Sequence, residues 1–298
     1  MEVMYTNADQ LLNKMHDLEV HIHTRRPDII VVTEVIPKAQ SNPIPKACLV
    51  VKGFTEFLNF DCDLCGTSQQ GRGIAVYVKE GMKAFEVKSH TSYRDQLWLR
   101  IELNKYEHLL LGAIYRSPSL KLEDTVPEII DSMQKAASYN PPYLIICGDF
   151  NIKNIDWKDE RCLPGASLQE SAFLQGIKDC LLFQHITECT RFRLGHRPQT
   201  LDLLFSNEED IVQDTCFLPG LGLSDHISIH FSIACGRNDR KEGNIIYKDW
   251  NQADYMRMNN CINACDLENA IEDKNVQEAW NMISNTLEEI VLLVVPEK

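Results

Sequence analysis

Short apolar runs alternate with helical repeats along the chain, an order that predicts an α/β protein. The first run is Val3–Thr6, and the next is Asp28–Thr33, whose unbroken apolar residues are typical of a strand buried on both faces. Between the two runs, apolar residues are spaced four, three and four apart and predict one face of a helix: Leu11, Met15, Leu18 and Ile22.

The middle of the chain predicts more strands and two further helices. Four predicted strands follow one another without a helix between them, which favours antiparallel pairing: Gly73–Val78, Phe85–Lys88, Leu97–Leu103 and His108–Tyr115. Later patterns predict helices at Glu123–Ala137 and Leu168–Cys180, and strands at Tyr143–Cys147, Thr200–Phe205 and His230–Ile233. Residues 37–71 predict loops with one strand around Cys48–Val51. The two halves suit two sheets packed face to face with helices outside.

The composition changes near residue 236 and predicts two parts of unequal size. Of the 298 residues, 44% are apolar and 24% charged, as in soluble globular proteins, and residues 1–235 suffice for one large core. Gly236–Gly243 is polar enough to be a linker. Residues 236–298 therefore form a predicted linker and helical tail, whose apolar stripe is typical of a packing face: Trp280, Ile283, Leu287, Ile290 and Val294.

Net charge and cysteine content disfavour some classes of function. The net charge of −13 disfavours unspecific coating of DNA, so basic contacts to a polyanion must be concentrated in a few loops. The 11 cysteines are scattered, and Cys62-Asp-Leu-Cys65 lacks a second pair, so two loop cysteines are favoured over a zinc or redox site. With no signal peptide and no apolar run of membrane length, we expect a soluble, intracellular protein without a membrane partner.

Polar side chains stand where predicted strands end. Asp149 and Asn151 follow an apolar strand two positions apart, so strand alternation would direct both into one cleft. Glu34 ends a strand buried on both faces, where an ionised carboxylate needs a partner such as Mg²⁺. Asn7 and Asp9 end the first strand in the same way. A capping Asp and a turn Asn remain the alternative for the Asp149 motif taken alone.

Two further features are weak when taken alone. Ser224-Asp225-His226 precedes a strand, although a histidine in a loop is usually just solvated. Tyr115 ends another strand, where an aromatic residue is usually part of the core or its rim. Their significance depends on the order in which all these motifs occur.

That order resembles the endonuclease/exonuclease/phosphatase superfamily, which includes deoxyribonuclease I and apurinic/apyrimidinic endonucleases. The similarity covers about residues 1–235 and rests on Asn7, Glu34, Tyr115, Gly148-Asp149-x-Asn151, Asp202 and Ser224-Asp225-His226. It implies a four-layer α/β/β/α sandwich of two mainly antiparallel sheets with outer helices. It also implies a phosphodiester hydrolase that uses Mg²⁺, with Mn²⁺ as the alternative ion.

The resemblance also implies roles for the residues around the metal. Glu34, with Asp9 nearby, would hold the ion, and Asn7 and Asp225 would complete the network on that side. These groups supply the oxygen ligands that Mg²⁺ prefers.

The same resemblance implies a second group that acts on water and phosphate. Asp149 and Asn151 would orient and activate the attacking water, and Tyr115 would contact a phosphate oxygen. His226, paired with Asp202, would stabilise the negative charge that develops on the phosphorus oxygens, because a neighbouring carboxylate favours the charged imidazole.

Within the superfamily, the sequence resembles the endonucleases of LINE-type (non-LTR) retrotransposons. The similar stretches are Asn7-Ala-Asp9, Tyr115-Arg-Ser-Pro118 and Thr200–Asn207. The tail, with Trp250, Tyr255 and Val295-Pro296, resembles the segment that joins such an endonuclease to its reverse transcriptase.

The densest basic stretch, residues 191–197, matches a hairpin that reaches into DNA in these enzymes. Arg191, Arg193 and Arg197 are therefore predicted to bind DNA, with a solvated turn as the alternative.

The function expected from the resemblance is nicking of duplex DNA for retrotransposon integration, which would take place in the nucleus. The expected partners are duplex DNA and a reverse transcriptase domain in a longer parent protein. Two alternatives stay open: an apurinic-site repair endonuclease, and a catalytically inactive remnant or host-adopted binding module.

Overall fold

The computed structural model describes residues 1–37, 42–62, 72–88, 92–235, 252–265, 267–271 and 274–296. The chain forms two compact units, Met1–Asn238 and Asp239–Lys298. The predicted linker Gly236–Gly243, Cys65 and Trp250 lie outside the described residues, so the boundary placed after residue 235 stays a prediction.

The first sheet of the larger unit has six strands: β1 (Glu2–Asn7), β2 (Ile29–Thr33), β3 (Phe54–Leu58), β4 (Ile74–Lys79), β13 (Val212–Leu218) and β14 (Ser228–Ile233). Their order is β13-β14-β1-β2-β4-β3. β1 and β2 are parallel because helix α1 (Met15–Arg25) returns the chain between them, and the other pairs are antiparallel. The strand predicted around Cys48–Val51 is wrong: a 3₁₀ turn covers Lys46–Leu49, and the strand begins at Phe54.

The second sheet also has six strands: β5 (Ala84–Glu86), β6 (Gln96–Glu102), β7 (His108–Tyr115), β8 (Tyr143–Asp149), β11 (Phe183–Gln184) and β12 (Asp202–Ser206). Their order is β11-β12-β8-β7-β6-β5. Helix α2 (Leu122–Ser138) makes β7 and β8 parallel. A small hairpin, β9 (Ile155–Asp156) with β10 (Arg161–Cys162), precedes helix α3 (Leu168–Asp179), which begins with a capping box between Ser167 and Glu170.

Alternation along the strands divides the core into layers. Inward residues of both sheets, such as Val31 of β2 and Leu111 of β7, form one apolar cluster. The opposite faces pack under helices, with Leu18 of α1 in a second cluster and Phe173 of α3 in a third. The predicted α/β/β/α sandwich of two mainly antiparallel sheets is confirmed.

The smaller unit is helical, with α4 (Tyr255–Ala264), α5 (Leu267–Ile271) and α6 (Val276–Val294). Ile290, Val294 and Val295 are buried in a cluster within this unit. The predicted stripe on α6 is correct only toward its end, because Trp280 is 63% exposed. No helix in the described ranges is long and apolar enough to cross a membrane.

Candidate active site

Strand register brings the predicted polar residues to one edge of the two sheets. Asn7 is level with Thr33, the residue before Glu34, on the parallel strands of the first sheet. In the second sheet, Asp149 is flanked by Tyr115 on β7 and Asp202 on β12. The carboxyl ends of parallel strands lie at the same edge, so each sheet delivers its polar residues to a shared cleft.

The cleft has a volume of about 690 Å³, and its lining includes most of the predicted residues of the site: Asp9, Glu34, Tyr115, Asp149, Asn151, Arg191, Arg193, Asp225 and His226. Asn7 and Asp202 are fully buried behind this lining. Arg197 lines a neighbouring pocket instead. The structure therefore brings together residues that are as far apart in the sequence as Asn7 and His226.

Asp149 is held in a fixed orientation at the floor of the cleft. Its side chain accepts a hydrogen bond from Asn7 Nδ2 at 2.9 Å and one from the backbone N–H of Asn151 at 3.1 Å. Burial, followed by the nearby charge of Asp202, raises the pKa of Asp149 to about 8 although His226 opposes the shift. A carboxylate with a raised pKa is a stronger proton acceptor than an ordinary one.

Asn151 reaches the cleft by a route that differs from the predicted one. Strand β8 ends at Asp149, and Asn151 has a φ of +49°, in the left-handed region. Its amide Nδ2 donates to the carbonyl of Arg116 at 2.9 Å. Strand alternation therefore does not orient Asn151, and the turn after the strand does.

His226 and Asp202 form a buried pair beside Asp149. Nδ1 of His226 lies 2.7 Å from Asp202 Oδ2, and Nε2 faces Asp149 at 3.9 Å and Asp225 at 3.8 Å. Burial lowers the pKa of His226, but the charge of Asp202 and the hydrogen bond to it outweigh burial and raise that pKa to about 10. Asp202 therefore favours the charged form of the imidazole.

Glu34 and Asp9 lie on the other side of the cleft, bridged by a guanidinium group. Arg72 pairs with Glu34 Oε2 at 2.7 Å and with Asp9 Oδ1 at 2.9 Å. The hydroxyl of Tyr115 donates to Glu34 Oε1 at 2.8 Å. Glu34 and Asp9 both have positive φ values, an uncommon conformation for non-glycine residues and one that clusters at functional sites.

Two groups of side chains in the cleft carry atoms that could bind a metal ion. Ligand atoms of Asp149, Asp202 and His226 lie within 4.8 Å of one another. Nδ1 of His226, however, is already hydrogen-bonded to Asp202, and Asp202 is fully buried behind the lining of the cleft. Glu34 and Asp9 offer carboxylate oxygens at the cleft surface, so their chemistry fits a hard divalent cation better.

Comparisons with known proteins support the fold. Residues 109–230 match the sequence family described as Endonuclease-reverse transcriptase. The endonuclease domain of TRAS1, a telomere-specific non-LTR retrotransposon, has a TM-score of 0.58 at 17% identity, over 78% of this chain and 98% of that chain. The fold is that of the endonuclease/exonuclease/phosphatase superfamily.

Other solved structures with this superfamily fold are similarly distant in sequence. The 3′-5′ exonuclease NExo from Neisseria meningitidis has a TM-score of 0.59 at 16% identity, over 78% of this chain and 99% of that chain. The AP endonuclease LMAP from Leishmania major has a TM-score of 0.60 at 13% identity, over 77% of this chain and 86% of that chain. No curated protein matches the sequence. The resemblance stated from the sequence is confirmed.

Four residues that support this site were missed from the sequence. Tyr5 donates to Asp202 Oδ1 at 2.7 Å, and the Thr190 hydroxyl accepts the backbone N–H of Asp202 at 3.0 Å. Buried Arg116 donates to the carbonyl of Asn151 at 3.2 Å, and Arg72 bridges the two predicted metal ligands. The only signal in the sequence was that Arg72 and Arg116 each adjoin a predicted strand end.

The basic stretch 191–197 forms a hairpin beside the cleft. Arg191 bridges to Gln199 across the hairpin and also to His226, and Gly195 has the positive φ of a turn residue. Nε of Arg191 pairs with Asp225 Oδ2 at 3.0 Å. Asp225 is therefore tied to the hairpin, and it faces His226 rather than Glu34.

Proposed function

We propose that this chain is a metal-dependent endonuclease that nicks duplex DNA, as retrotransposon integration requires. The observation that supports this most directly is that Asp149, the His226–Asp202 pair and Glu34 converge in one cleft from two sheets. Action on chromosomal DNA would place the enzyme in the nucleus, with a reverse transcriptase as its partner.

The geometry suits in-line attack of water on a phosphodiester. Asp149 in its ionised form accepts a proton from water, whose oxygen then forms a bond to phosphorus. The bond from phosphorus to the 3′ oxygen breaks, and that oxygen takes up a proton, which leaves a 3′-hydroxyl and a 5′-phosphate. Cationic His226 faces the same space and stabilises the negative charge that develops on the phosphoryl oxygens.

Glu34 and Asp9 would hold the divalent cation, which we propose to be Mg²⁺ with Mn²⁺ as a substitute. When bound, the ion would act as a Lewis acid on a phosphoryl oxygen. Tyr115 fixes one oxygen of Glu34, and Arg72 keeps the two carboxylates together, so this chain's own residues preorganise the donors.

Nicking of supercoiled plasmid tests the proposal. Purified protein with Mg²⁺ should produce open circles with 3′-hydroxyl ends, and a chelator should abolish the reaction. Asp149→Asn and His226→Gln preserve shape and should each lower the rate by about 10²-fold or more, the contribution of a positioned acid or base. Asp124→Asn, an exposed carboxylate in α2, is the matched control and should leave the rate unchanged.

Unchanged nicking by the Asp149 and His226 variants, or in chelator, would contradict the proposal. A parallel comparison of an intact duplex with one that carries an abasic site separates the two enzyme classes. A retrotransposon-type enzyme should nick both, whereas a strong preference for the abasic duplex would indicate repair instead.

A further inference from the structure

A second pocket adjoins the active-site cleft, and most of its lining residues are cationic. Its volume is about 230 Å³, and its lining residues are Lys153, Arg191, Arg193, His196, Arg197 and Gln199. Four of these six are Lys or Arg, and none is Asp or Glu. In a chain of net charge −13, such a concentration of one sign is a local exception.

Three of the four cations of this pocket have no acidic partner within the described part of the chain. Arg191 is paired with Asp225, but no described carboxylate pairs with Lys153, Arg193 or Arg197. Like charges held close together repel one another, and an anion bound between them removes that repulsion. The pocket therefore has the properties of an anion site.

Lys153 connects the pocket to the catalytic machinery. It lies two residues beyond Asn151, in the turn after β8, whereas the other cations belong to the hairpin. Arg191 and Arg193 line both this pocket and the cleft. An anion in the pocket would thus be a close neighbour of a phosphate in the cleft.

We propose that the pocket binds one backbone phosphate of the DNA strand being cut, adjacent to the phosphate that is hydrolysed, and that Lys153 and Arg197 are its principal ligands. This inference rests on the proposed function. It adds Lys153, which lies outside the hairpin, to the residues that would contact DNA. By fixing a second phosphate, the pocket sets the register of the strand in the cleft, because phosphate contacts determine position rather than sequence choice.

Binding measurements in chelator test this without cleavage. The double variant Lys153→Ala/Arg197→Ala should bind duplex DNA more weakly, and the slope of log affinity against log salt should become shallower by about 0.9, the loss of one phosphate contact. The control Lys88→Ala/Lys158→Ala removes the same charge from exposed positions outside the pocket and should leave the slope unchanged.

Uncharged methylphosphonates placed at one position at a time locate the phosphate. One position next to the cleavage site should weaken binding by wild-type protein and have no further effect on the Lys153→Ala/Arg197→Ala variant. Equal weakening of both proteins at every position would overturn the proposal, as would an unchanged salt slope.

The two proposals fail in different ways. Binding with the expected salt slope but no nicking would contradict the endonuclease proposal and leave the phosphate pocket supported. Nicking that is insensitive to the Lys153 and Arg197 substitutions would contradict the pocket and leave the endonuclease supported. Absence of DNA binding by the wild-type protein would overturn both.

Discussion

Two buried tyrosines on the first sheet offer a matched test of hydrogen bonding in the core. The hydroxyl of Tyr5 donates to Asp202 at 2.7 Å and shares a 3.1 Å hydrogen bond with Thr33. The hydroxyl of Tyr77 is equally buried and has no partner among the described residues. Removing the Tyr5 hydroxyl loses a hydrogen bond to a charged group, which costs about 1.5–3 kcal/mol. Removing the Tyr77 hydroxyl loses no hydrogen bond to a described residue and relieves a desolvation cost.

Tyr5→Phe should therefore lower the free energy of unfolding by about 2 kcal/mol. For a domain of this size, that corresponds to a fall in Tm of roughly 4–8 °C. Tyr77→Phe should leave Tm unchanged or raise it. Tyr5→Phe should also slow plasmid nicking, but less than His226→Gln does, because Asp202 keeps its hydrogen bond to the imidazole.

Thermal and urea unfolding of the wild-type protein, Tyr5→Phe and Tyr77→Phe test this prediction. Tyr106→Phe is the control, because the Tyr106 side chain is exposed to water. A fall in Tm of the same size for Tyr5→Phe and Tyr77→Phe would refute the reasoning, because it would show that loss of packing, rather than the bond to Asp202, determines stability.

Other parts of the structure support three further predictions. Gly148→Ala should prevent folding, since its Cβ would lie 1.8 Å from the carbonyl oxygen of Ile114. Gly81→Ala meets open space, so only the strain of its φ of +88° remains, about 1–2 kcal/mol; soluble yield and Tm check both. Burial lowers the pKa of His185 to about 4, so the unfolded chain binds a proton that the folded chain does not, and stability should fall as pH drops from about 6.5 toward 4. Urea titrations of His185→Asn should show a shallower pH dependence, and an identical slope would contradict this cause. Truncation after Cys235 should leave a soluble protein that nicks plasmid, and aggregation would place the tail in the core.

The sequence predicted the parts of the fold and the site that depend on local patterns. Apolar runs located β2 and β8 because a central strand is apolar on both faces, and Glu34 and Asp149 were found because each follows such a run. Tyr5 was missed since it has the pattern of a core aromatic, and its partner Asp202 is 197 residues away. Arg72 and Thr190 likewise act through contacts that only the paired sheets create.

The position of Asn151 shows where prediction from strand alternation fails. Alternation along a strand is a regular rule, but the strand ends at Asp149, and the next residues form a turn with positive φ that Arg116 stabilises. The residue was identified correctly as part of the cleft, and the physical reason given for it was wrong.

The pairing of β1 with β14 has a consequence for when the candidate site can be completed during translation. Strand β14 lies between β13 and β1 in the sheet, so β1 can pair with β2 early but gains its second neighbour only after β14 has been made. His226 precedes β14 by two residues. A ribosome-bound chain that already carries Asn7 and Asp149 therefore still lacks the imidazole of the candidate site. A copy shortened before His226 would lack the imidazole and would also leave the β14 side of β1 without its hydrogen-bonding partner.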